Sequence, residues 1–71
     1  MTLLTNEEKA TIVNSHIKNL EYNKYNLEIS VIEENSKTEP SNETLQSLNA
    51  QILEIDGQLN ALQSELDTLT A

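Results

Sequence analysis

The side chains of this chain that could do chemistry are twelve carboxylates, four lysines, one histidine, two tyrosines and scattered serines and threonines, with no cysteine and no arginine. Nucleophilic catalysis needs a hydroxyl or thiol held against a base that a third group orients. His16 is the single imidazole, and no serine arrangement around it is one that so thin a fold could shelter. It reads as a histidine flanking an apolar helix seam. Glu33 and Glu34 adjoin, but at a helix end they are expected to be solvated and slightly unfavourable to the helix dipole, not to share a proton in a pocket. With one His and no Cys, carboxylates are the only plentiful metal ligands, which argues against a structural zinc site. A single Gly rules out a glycine-rich phosphate loop. Asn42-Glu43-Thr44 matches a glycosylation acceptor, a pattern short enough to arise by chance. The expectation is therefore no catalytic residue, no cofactor, no metal and no enzyme activity.

Charge narrows the partners. Twelve acidic residues against four lysines give a net charge of -8. Without arginine, bidentate phosphate recognition is missing, and four scattered lysines make no basic patch, so nucleic acid is not an expected partner. No apolar run approaches the roughly 18 residues of a membrane span, and acidic faces are repelled by anionic lipid. Met1 to Lys9 lacks the charged start and apolar stretch of a signal peptide, which makes the cytoplasm the expected location. Seventy-one residues form one small domain at most. At that size a core needs disulfides, a metal or self-association to supplement it, and only self-association is left.

The elements that hold these residues are helices. Leu45, Leu48, Ile52, Ile55, Leu59, Leu62, Leu66 and Leu69 follow one another at alternating steps of three and four. This is an a/d heptad seam without a polar member, and it must lie against another helix. Upstream, Thr5 with Glu8 three residues later reads as a capping box, and nothing from there to about Asn35 breaks a helix. That helix carries its own seam of Ala10, Val13, Ile17, Leu20, Lys24, Leu27 and Val31. Lys24 interrupts it, either as a snorkelling side chain or as a device that sets register, with Glu21 and Glu28 one turn away to neutralise it. Ser36 to Ser41 contains Pro40 and reads as a turn, with Ser41 as the cap of the second helix and Thr38 as its competitor. The expected fold is all-α: residues 1–71 as one antiparallel, coiled-coil-like two-helix hairpin, with helices over about 5–35 and about 41–69 and a turn over about 36–41.

A second stripe gives a reason to expect partners. Tyr22, Tyr25, Ile29 and Ile32 are spaced by three, four and three, nearly opposite the first helix's seam. A helix that packed only within its own hairpin would be polar there. The stripe is the candidate protein interface. It serves either to close a homo-oligomer, with a two-fold dimer forming a four-helix bundle as the favoured form, or to dock a different protein with the tyrosines as anchors. Outside its seam the second helix is bland. Its flanking positions are mostly amides that select partners weakly, with Asp56 among them. Gly57 lies outside the seam, where it costs about 1 kcal/mol against alanine.

In outline the chain resembles the Rop-type hairpin, a helix pair that dimerises into a four-helix bundle and binds RNA. The resemblance implies the assembly. It does not extend to the RNA activity, which relies on basic residues along the bundle face where this chain is acidic. The stretches Asn6-Glu7-Glu8-Lys9-Ala10-Thr11-Ile12-Val13 and Asn19-Leu20-Glu21-Tyr22-Asn23-Lys24-Tyr25-Asn26 also resemble short reading frames of marine cyanophages. That likeness implies a phage-encoded protein of the host cytoplasm or the virion. Two functions then compete: a self-associating assembly or scaffolding component, and a small acidic effector that binds a host protein.

Overall fold

The N-terminus of the first helix is fixed by the capping box. Thr5 is extended (φ -75°, ψ 165°), its hydroxyl accepts from the Glu8 N–H at 3.1 Å, and its own N–H donates to Glu8 Oε1 at 2.9 Å. Two of the donors orphaned at a helix start are thus satisfied reciprocally. In the computed structural model, which describes residues 3–70, helix α1 runs Asn6–Asn35 and helix α2 runs Asn42–Thr70. No strand occurs among the described residues.

Helix α1 ends without a glycine and without a positive φ among the described residues. The Ser36 N–H donates to the carbonyls of Ile32 (3.0 Å) and Glu33 (3.2 Å), and its hydroxyl donates to Glu33 at 2.7 Å. This tightened last turn uses up carbonyls that would otherwise face water. Ser41 opens α2: its hydroxyl accepts from the Thr44 N–H at 3.2 Å, and its carbonyl accepts from Leu45 at 3.0 Å. Thr38, the competing cap, lies outside the helix.

The two helices fold back on each other as a hairpin 55 × 20 × 15 Å. Each apolar member of both seams is half-buried, from Ala10 to Val31 on α1 and from Leu45 to Leu69 on α2. Among the described residues no apolar side chain is fully buried. The reason is geometric: two cylinders touch along one line, so a seam residue is covered by the opposite helix and left open on both flanks. The accessible surface is 5429 Å². A compact monomer of the same 8.0 kDa mass exposes about 4,450 Å².

Candidate functional site

The stripe proposed from spacing lies on α1, away from its seam. Tyr22, Tyr25 and Ile32 are 62%, 63% and 63% exposed, while Ile29 between them is half-buried. One turn earlier Lys18 sits over the Tyr22 ring, with Nζ 5.8 Å from its centroid. That cation–π contact steadies one edge of an otherwise uncovered surface. Four large side chains in successive turns of one helix, three of them mostly in solvent, form a patch suited to another protein surface.

The hairpin carries a concavity that its two-helix outline does not lead one to expect. An open groove is lined by His16, Asn19 and Leu20 of α1 and by Gln58, Ala61 and Leu62 of α2. Its floor is apolar and its rim is two amides and an imidazole. His16, on the edge of the seam, faces neither a carboxylate nor a hydroxyl among these neighbours. The described residues contain no cluster of three or more metal-ligating side chains, and no described helix is long and apolar enough to cross a membrane.

Glu34 overturns the expectation that it is solvated and at odds with the dipole. It is the one buried residue of the described chain, 6% exposed. Its Oε2 accepts from the Ser41 N–H at 2.8 Å and its Oε1 from Lys37 Nζ at 2.9 Å. The Ser41 hydrogen bond first, then that of Lys37, hold its carboxyl below the usual glutamate range; burial opposes them, and the Lys37 charge adds a smaller lowering. The physical cause is a missing residue. Helix α1 has Glu8 three residues after its cap to take the cap N–H, whereas α2 has Thr44 at the corresponding place. Glu34 reaches across the turn and supplies that acceptor from the other helix. The signal in the sequence is Glu34 with Lys37 at i+3 and a cap seven residues on that lacks its glutamate.

Lys24 also differs from expectation. Its partner is Asp56 on the opposite helix, with Nζ–Oδ1 of 2.7 Å, and not Glu21 or Glu28. The hydrogen bond to Asp56 and that residue's charge raise the Lys24 pKa, partial burial opposes, and Glu28 adds the least. Asp56, grouped by sequence with bland amides, is thus half of a cross-hairpin pair. Because both side chains remain about a third exposed, the pair marks register more than it adds stability.

Compared with protein-family models, curated proteins and solved structures, the chain finds no match.

Proposed function

We propose that the chain is a non-enzymatic structural protein, a helical hairpin that self-associates through a two-fold dimer into a four-helix bundle and serves as an assembly or scaffolding component. One observation carries the reading: the hairpin by itself half-buries its seams and fully buries no apolar side chain among its described residues. Burial of apolar surface is the main driving force of folding, and a lone helix pair leaves part of both seams in water. The surface excess of about 1,000 Å² over a compact monomer is close to the roughly 800 Å² that each partner of a standard interface covers. The likeness to Rop-type hairpins favours the same assembly. The likeness of Asn6–Val13 and Asn19–Asn26 to cyanophage reading frames favours a phage setting, in the host cytoplasm or the virion. Sedimentation equilibrium at micromolar concentration tests the reading. A species of twice the 8.0 kDa chain mass is expected, and a folded monomer refutes it.

A second reading has its own observation. Tyr22, Tyr25 and Ile32 stay exposed on the hairpin, and aromatic anchors of this kind suit a docking face for another protein. On this reading the chain is a small acidic effector of a host protein. A pull-down from host lysate that retains the same proteins with Tyr25→Glu as with the wild type counts against it.

A further inference from the structure

The one buried residue of the described chain is a carboxylate, and it sits where the chain turns back on itself. Glu34 lies in the last turn of α1, and Ser41, seven residues on, caps α2. Among the described residues two polar contacts connect α1 with the α2 half: Glu34 Oε2 with the Ser41 N–H, and Lys24 with Asp56. They differ in what they depend on. The Lys24–Asp56 pair and the apolar seams need only an α1 beside an α2, whichever chains those helices belong to. If a second copy contributed α2, those contacts would recur unchanged. The Glu34–Ser41 bond depends on the turn, because its two partners bracket that segment and meet only while it is folded back. Chains that exchange helices keep the seams and lose the turn.

Little else holds the turn shut. The Lys37 N–H donates to the Glu34 carbonyl at 3.2 Å, but the N–H groups of Thr38 and Glu39 bond to no described residue. Pro40 has no N–H to give and keeps Glu39 out of the helical region. Short hinge segments of this kind invite exchange between copies. Lys37 Nζ, 2.9 Å from Glu34 Oε1, occupies the second carboxylate oxygen, so Glu34 is gripped by one residue of the turn and by one beyond it.

We propose that Glu34 is a latch that makes the hairpin close within one chain, and that without its carboxylate α2 is exchanged between two copies. A hydrogen bond to a charged group favours the arrangement that contains it by about tenfold or more. An exchanged pair lacks two such bonds, one per chain, so losing the carboxylate raises the exchange constant by about a hundredfold. A short linker holds α2 near α1 at an effective concentration of about 1 mM. At about 1 mM protein, about half of the Glu34→Ala chains are then exchanged, against about 2% of the wild type. The latch keeps each copy a separate unit, and copies linked through exchanged helices form only on its release.

Spin labels on Asn14→Cys and Ser64→Cys test this by electron–electron distance measurement. Both positions are exposed, both lie about 32 Å along their helices from the turn, and the chain has no other cysteine. In the closed hairpin they lie across its 20 × 15 Å section; in an opened chain they stand about 60 Å apart. Labelled protein is unfolded and refolded with a tenfold excess of the same chain unlabelled, at about 1 mM in total, with helicity followed by circular dichroism. The wild type is expected to keep its short distance, which is then intrachain. Glu34→Ala is expected to keep its helicity and lose about half of the short-distance signal on dilution. The same substitution is repeated with Gly57→Ala, which favours the helix and whose Cβ meets nothing within 4 Å. A short distance that survives dilution in Glu34→Ala overturns the latch. So does loss of helicity in both backgrounds, which would make the carboxylate a requirement of the fold and not a selector of chain pairing. The distance is read within one chain, so a wild type that runs as a monomer refutes self-association and leaves the latch standing.

Discussion

Gly57 is the sharpest probe of how the hairpin is used. It lies within α2 (Asn42–Thr70), and a Cβ built on it meets nothing within 4 Å. No described residue has a positive φ, so alanine fits the backbone without strain. Replacing a helical glycine by alanine removes conformational freedom from the unfolded chain, worth about 0.8–1.0 kcal/mol. An unfolding entropy of about 2.1 cal/mol/K per residue gives about 150 cal/mol/K for a chain of this length, so about 1 kcal/mol raises Tm by about 6–7 °C. Gly57→Ala is therefore expected to melt about 6 °C higher by circular dichroism at matched concentration. By heptad position Gly57 is on the back of α2, away from the seam, so self-association that completes the seam is expected to be unaffected. A lower Tm, or a dimer weakened by one methyl group, would mean that another helix crosses closely at Gly57. Either result refutes the reading of Gly57 as an uncontacted position on the back of α2.

Three further outcomes follow from the contacts at the turn, the bridge and the cap. Glu34→Gln keeps the size of the side chain, removes its charge and sets an amide NH2 against one of the two donors, Ser41 N–H or Lys37 Nζ, so the variant is expected to be less stable than wild type at neutral pH in urea unfolding. The Glu34 pKa is depressed on folding, so its contribution is present above the unfolded value and lost as pH falls through the folded one. The gap between wild type and Glu34→Gln should accordingly narrow below about pH 4, and a gap independent of pH refutes the charged clamp. Lys24→Leu completes the α1 seam and is expected to raise Tm by a few degrees. Asp56→Asn should change Tm little, because an exposed ion pair contributes little; for Lys24, whose pKa is raised on folding, the pair's contribution holds at neutral pH and fades as the lysine deprotonates in strong alkali. Thr5→Ala removes the hydroxyl that accepts from the Glu8 N–H while keeping the backbone N–H that donates to Glu8, and is expected to cost about 1 kcal/mol; an unchanged urea midpoint would show that the first turn of α1 frays in solution.

Much of the architecture is legible along the chain because it is written in local periodicity. The steps of three and four from Leu45 to Leu69 and from Ala10 to Val31 name the residues that the structure half-buries. Thr5 with Glu8 names the start of α1, and Ser41 names the start of α2. The tyrosine stripe is legible for the same reason: Tyr22, Tyr25 and Ile32 are exposed, as their place on the wheel predicts, while Ile29 is half-buried. Glu34 is the instructive miss. Two adjacent glutamates at a helix end look like a solvated pair, and only the absence of a glutamate at Thr44 hints that one of them is needed elsewhere.

What the sequence by itself determined is the secondary structure, its ends and the two apolar lines, since each depends on residues within a turn or two of one another. What the tertiary structure decided is every pairing across the hairpin: Glu34 with Ser41, Lys24 with Asp56, and the groove that joins His16, Asn19 and Leu20 to Gln58, Ala61 and Leu62. These depend on the rotation of each helix about its axis and on the register between them. A shift of one residue turns a helix by about 100° and exchanges one flank for another. Heptad spacing constrains that rotation to the seam, but it does not say which flank carries a charge pair and which carries the groove.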